Sequence, residues 1–188
     1  MLFKIKLRFL SIGLAAILAC LLSQPALAYY TTLGTATNVV TSGNITLQIN
    51  EMTDQGTEFP EEGVYVTPGD IVSKVVTVEN ICEHPFYLRV KLVYGIDAQE
   101  LPAEACFKLN INAEHWTLKD GWYYYTGVLQ PGEETPHVFS HVEIVGSQVD
   151  TSYIGKTLQL TVLAQAVQSE NNPIKNGDTT TAAGWPAE

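Results

Sequence analysis

Apolar and polar residues alternate one by one along several stretches of this chain, and that period of two is its dominant pattern. Ile45, Leu47 and Ile49 alternate with Thr46 and Gln48, and Phe86, Leu88, Val90, Leu92 and Tyr94 with Tyr87, Arg89 and Lys91. Val138, Val142 and Ile144 alternate with Phe139, His141 and Glu143. Leu158, Leu160, Val162, Ala164 and Ala166 alternate with Thr157, Gln159, Thr161 and Gln165. Successive side chains of a strand point to opposite faces, so each set predicts a strand with one face buried and one wet. Val64-Tyr65-Val66 and Ile71 to Glu79 are more evenly apolar, as central strands are. Turn residues separate the runs: Thr67-Pro68-Gly69-Asp70, Lys119-Asp120-Gly121 and Gln130-Pro131-Gly132-Glu133. No long segment carries a 3.6-residue period, although Asp97 to Ala105 has room for a short helix. Seven to nine short strands at this spacing predict an all-β fold, an antiparallel β-sandwich.

The first 28 residues stand apart. Lys4, Lys6 and Arg8 precede an almost unbroken apolar run from Phe9 to Leu22, and Ala26-Leu27-Ala28 offers small residues for cleavage. This predicts a secretory signal peptide over 1–28, cut between Ala28 and Tyr29. The run falls short of the about 20 apolar residues of a membrane span, so contact with a membrane is expected only through the uncleaved leader. The remaining organisation reads as a sandwich domain over 29–168 and a mobile tail over 169–188, rich in Asn, Thr, Gly and Pro.

Charge narrows the function. The chain has 10 Lys+Arg against 20 Asp+Glu, a net charge of −10. Three of the basic residues and none of the acids lie in the leader, so the cleaved chain carries −13. Nucleic acid is excluded as an expected partner, because phosphate binding needs a basic face. Five acids between Glu51 and Glu62 lack the ligand order of a calcium loop and read as a solvated segment. After cleavage two cysteines remain, Cys82 and Cys106. In an exported chain an even pair suggests a disulfide, the alternative being two thiols.

Catalytic and metal chemistry finds few candidates. His137 and His141 in "HVFSH" have the spacing of a helical zinc pair. On a strand, however, four residues span roughly 13 Å, too far for one ion to meet both rings. No nucleophile elbow, phosphate loop or dinucleotide fingerprint is present, and neither catalytic residues nor a cofactor are expected. "GWYYYTG" places Trp122 and Tyr124 on one strand face and Tyr123 and Tyr125 on the other. Packing is the ordinary role of such residues, and a surface that binds glycan through Trp122 and Tyr124 is the functional alternative.

Several longer stretches resemble the TasA/camelysin family of Gram-positive secreted proteins. They are "ALAYYTTLGTATNVVTSGNITLQI", "VTPGDIVSKVVTVENICEHPFYLRVKL", "DGWYYYTGVLQPGEETPHVF" and "GKTLQLTVLAQAVQSENN". The resemblance implies a jelly-roll-like sandwich, exported by a SipW-type signal peptidase to the cell surface or extracellular matrix. It further implies biofilm fibres in which the freed N-terminal strand adds to the next subunit. Tyr29 to Asn38 holds four Thr and few apolar residues, so it can contribute little to its own core. It can still pair through its backbone, since strand addition draws on main-chain hydrogen bonds. The expected donor is 29–40, with Leu33 and Val39 as anchors, and head-to-tail contacts of this kind need not close. The camelysin side of the resemblance implies a surface metalloendopeptidase, but the chain has no H-E-x-x-H. A fibre subunit, a protease and a monomeric glycan binder are therefore the three functional expectations.

Overall fold

The computed structural model describes residues 28–30, 37–40, 45–97, 103–149 and 151–186. The leader up to Leu27 and the expected anchor Leu33 lie outside the described residues. Among the described residues eleven strands follow one another: β1 (Ala28–Tyr30), β2 (Thr37–Val40), β3 (Leu47–Met52), β4 (Val64–Val66), β5 (Ile71–Asn80) and β6 (Phe86–Ile96), then β7 (Phe107–Leu109), β8 (Trp116–Lys119), β9 (Trp122–Tyr125), β10 (Phe139–Ile144) and β11 (Thr157–Gln168). A seven-stranded sheet has the order β4-β1-β11-β6-β9-β8, with β2 also on β11. A four-stranded sheet has the order β3-β5-β10-β7. The fold is thus the expected all-β sandwich, antiparallel except where β1 and β2 run parallel to β11.

The core lies between the sheets and is built by the inward set of each alternating run. Val76 and Val78 of β5 meet Leu88 and Val90 of β6 and Leu158 and Leu160 of β11, all fully buried. Each such side chain contributes roughly 1.5–3 kcal/mol over an exposed one, so these few positions dominate the choice of fold. The β8–β9 hairpin closes through Asp120 at φ 50° and Gly121 at φ 77°. Two left-handed residues match the right-handed twist of the strands they join.

Local departures from the sequence reading have identifiable causes. The alternation through β10 predicts Phe139 on the wet face, yet Val138 and Phe139 are both fully buried. The ladder between β10 and β5 slips between Phe139 and His141, and this bulge turns Phe139 inward. Asn110 braces the slip: its Oδ1 accepts from the backbone N–H groups of Ser140 at 3.0 Å and His141 at 2.9 Å, and its Nδ2 donates to Ser140 Oγ at 2.7 Å. β5 is central as expected, whereas Val64–Val66 forms an edge strand. The helix expected near Asp97 to Ala105 is, among the described residues, one 3-10 turn at Glu104–Cys106.

Glu51 leaves the predicted solvated segment. It sits in β3, and its carboxylate meets Lys74 Nζ of β5 at 2.8 Å. Lys74 is fully buried, with the Phe59 ring face 4.6 Å from its ammonium. Burial pulls the Lys74 pKa below its ordinary value, against the raising effect of Glu51.

The disulfide expectation is corrected, because no bridge joins Cys82 and Cys106. Cys82 follows Asn80 at one end of β5, while Cys106 leads into Phe107, which pairs with Ile144 beyond the Glu143↔Ile71 rung at the other end. The ten residues of β5 separate them, a span of roughly 30 Å at the strand rise. Disulfide geometry tolerates about 7 Å between Cα atoms.

The tail also departs from expectation. Residues 169–186 fold back over the outer face of the large sheet, where Ala182 is buried in a second small cluster with Tyr87 and Val167.

Candidate functional site

The leading segment lies against one edge of β11. That strand is the longest among the described residues at twelve residues. Its inner positions Leu158, Leu160, Val162, Ala164 and Ala166 are all buried, which fixes its register against the core. One edge is paired along its length with β6, from Leu158↔Ile96 to Gln168↔Phe86. The other edge takes β1 at Tyr29↔Thr157 and Tyr30↔Leu158, and β2 at Thr37↔Leu163 through Val40↔Ala166. β4 covers the far side of β1, with Ala28 opposite Val66. Among the described residues β2 pairs with β11 alone, so it is an edge strand.

The segment expected to dock on a neighbour is therefore paired within its own sheet. Val39, one of the two expected anchors, holds the register position opposite Gln165. The expected cleavage point, Ala28 to Tyr29, falls inside β1.

A second constellation forms on the outer face of the same sheet. Trp122 and Tyr124 of β9 point outward, and the tail covers them to 5% and 4% exposure. This corrects the glycan-platform expectation for these two residues, because the face they would offer is occupied. Between them lies the guanidinium of Arg89 from β6, 4.2 Å from the Trp122 ring and 4.9 Å from that of Trp185. Arg89 Nε and Nη2 donate to Gln165 Oε1 of β11 at 2.9 and 2.6 Å, and Nη1 donates to the Tyr124 hydroxyl at 2.9 Å. A third direction is taken by the tail, since Nη2 also donates to the carbonyl of Pro186 at 3.1 Å. Trp185 stands edge-on to Tyr124 at 5.4 Å. Sequence reasoning missed Arg89, Gln165 and Trp185. The available signal was the lone tryptophan in a polar tail, since so large an aromatic is rarely left without a docking surface.

The remaining candidates do not converge. His137 and His141 are half-buried, and His141 Nδ1 lies 3.5 Å from Ser140 Oγ. Among the described residues no group of three or more His, Cys, Asp or Glu gathers as a metal site would require. Cys82 Sγ donates to the carbonyl of His84 at 3.3 Å. Burial raises the pKa of the Cys106 thiol, opposite to what a nucleophile needs. Burial also pushes Tyr94 up to about 12, aided by Tyr123 and Glu104. Glu134 is held below the usual carboxylate range by hydrogen bonds from Thr77 and Asn50 on the outer face of the small sheet.

The class that the fold defines is a two-sheet β-sandwich whose leading and trailing segments both attach to the larger sheet. No family model, no curated protein and no solved structure matches the chain. The likeness to the TasA/camelysin family accordingly rests on the residues quoted above.

Proposed function

We propose that this chain is a secreted structural subunit of an extracellular matrix or cell surface, and that copies join head to tail by exchanging their leading strands. The secretory leader and the resemblance of the quoted stretches support export by a SipW-type peptidase and a biofilm-fibre role with a jelly-roll-like sandwich. The observation that carries the reading is the parallel attachment of Thr37–Val40 to β11, with no other described strand holding it. An edge strand bound through its backbone can be replaced by the same strand from another copy with the same hydrogen bonds. The closed monomer and the open fibre then differ in whose β2 fills the edge of β11 and whose β1 lies between β11 and β4. Cleavage before Tyr29 frees the segment to make that choice.

The experiment locks the exchange. Thr37→Cys with Leu163→Cys, in a chain also carrying Cys82→Ser and Cys106→Ser, ties two residues that are opposite in register. The mature chain starting at Tyr29 is concentrated oxidised and reduced, then imaged by electron microscopy. Filaments only in the reduced sample support exchange. Filaments of equal number in both samples refute it, as does filament formation by a chain lacking 29–40.

A further inference from the structure

We propose that the Arg89 cage is a recognition site for the Thr179–Pro186 segment of a second copy, so that chains can also associate by exchanging their tails. This reading is independent of the leading strand and would stand if strand exchange failed.

The cage is built from the sandwich and the ligand from the tail. Arg89, Trp122, Tyr124 and Gln165 come from three adjacent strands and hold one another in place. The tail arrives as a preformed knob. Its Trp185 indole donates to the carbonyl of Thr179 at 3.0 Å, and Asp178 Oδ1 accepts from the backbone N–H of Thr180 at 3.0 Å. Three contacts then seat the knob: Trp185 over Arg89, the Pro186 carbonyl on Nη2, and the Thr179 hydroxyl donating to the carbonyl of Tyr125 at 2.8 Å.

Two features make the knob separable. Its apolar contacts form a cluster of their own, Tyr87, Val167 and Ala182 with Val128, Ile174 and Trp185 packed against it, apart from the main core. Releasing the tail thus leaves the core between the sheets intact. The connector is anchored at Ser169, whose N–H donates to the carbonyl of Pro85, and from Glu170 to Asp178 it is exposed apart from half-buried Asn172 and Ile174. Exchange of an identical element reproduces every contact and alters only the connector, which is the low-cost route to association. Within one chain the tail is present at an effective concentration on the order of millimolar. A dilute wild-type chain is therefore closed on itself, and the site becomes available to a partner when its own tail is disabled.

Complementation tests this. Trp185→Ala keeps the cage and spoils the knob, whereas Arg89→Gln keeps the knob and spoils the cage. In sedimentation velocity each variant alone is expected to run as a monomer, and the equimolar mixture to contain a 1:1 dimer. A mixture that sediments as the sum of its parts overturns the proposal. Association through the leading strand would show in each variant alone, so the two readings fail separately. A second measurement needs only the Trp185→Ala chain. A fluorescent peptide of residues 175–186 is expected to bind it at least about tenfold more tightly than it binds wild type, whose site is filled at that effective concentration. Equal binding to both, or binding to neither, overturns the proposal as well.

Discussion

Removing the Glu51 carboxylate is expected to cost this protein more stability than any other single surface-reaching charge. Lys74 is fully buried, and the Glu51 side chain retains 18% exposure at the rim of the core. Their 2.8 Å contact places the Glu51 carboxylate directly on the Lys74 ammonium. Breaking one side of such a pair leaves a charge in a dry seam, at a cost of about 3–5 kcal/mol. The Phe59 face offsets roughly 0.5–2 kcal/mol of that, and its contribution is already present in the parent. Because water reaches Glu51, we place Glu51→Leu at about 3 kcal/mol, the low end of that range. For a domain of this size that corresponds to a fall in Tm of about 6–12 °C. Replacing both partners, Lys74→Met with Glu51→Leu, is expected to recover all but about 1 kcal/mol, since an apolar pair of similar volume needs no desolvation.

The same pair sets a pH dependence with a definite sign. The folded pKa of Lys74 lies below its ordinary 10.5, chiefly through burial. Below the folded value both states hold the proton and stability does not change. Between the folded value and 10.5 the unfolded chain binds more protons, so stability rises with pH. Tyr94 acts in the opposite direction: its pKa is raised from 10.0 to about 12, so above pH 10 the unfolded chain loses protons first and stability falls. Comparing wild type with Lys74→Met cancels the tyrosine contribution. Urea denaturation from pH 7 to 10.5 should then show wild type gaining on the variant as pH rises. A constant gap across that range, or a Glu51→Leu cost under about 1 kcal/mol, refutes the account of Lys74 as a desolvated, paired ammonium.

Two further outcomes follow from the fold. Asn110→Ala removes the acceptor shared by two backbone N–H groups at the β10 bulge, and about 2–3 kcal/mol of stability should go with it in urea melts; a loss below about 0.5 kcal/mol would mean the bulge holds without its brace. In the chain starting at Tyr29, native-state thiol labelling should modify half-exposed Cys82 within minutes and buried Cys106 only on unfolding, with the intact mass showing two unbridged cysteines; equal rates would place Cys106 at the surface.

Local pattern revealed strands wherever one face is buried without interruption. β6 and β11 were legible because Leu88, Val90, Leu158 and Leu160 recur on a strict period and solvent dictates the rest. β10 was only half legible, since a period of two presumes an unbroken register and the slip at Phe139 depends on Asn110 thirty residues away. The pairing of β1 and β2 left no local trace, because a backbone edge contact across more than a hundred residues uses no particular side chain. Composition misled at the tail. Most of its polar residues face water as composition predicts, but Ile174, Ala182 and Trp185, with buried Thr179, dock it on Tyr87 and Val167. The same docking hides Trp122 and Tyr124, which the alternation puts on one strand face without saying which face is wet. Cysteine counting failed because parity carries no information on distance, and β5 holds the two thiols at opposite ends of a sheet.

The two chain ends meet on one residue through different chemistry. Gln165 takes Val39 of β2 as its register partner on β11, while its side-chain oxygen accepts twice from Arg89 beneath the tail. Strand pairing lies in the plane of the sheet and uses N–H and C=O groups. The cage stands above that plane and uses a guanidinium, two indoles and a phenol. Hydrogen bonds in the plane do not compete with contacts above it for any donor or acceptor, so either end can leave without stripping the other of its partners. A subunit joined to neighbours through both ends would therefore have two junctions of separate strength, one set by backbone ladder length and the other by a single aromatic knob. Trp185→Ala should then weaken one junction and leave the Thr37–Leu163 register untouched.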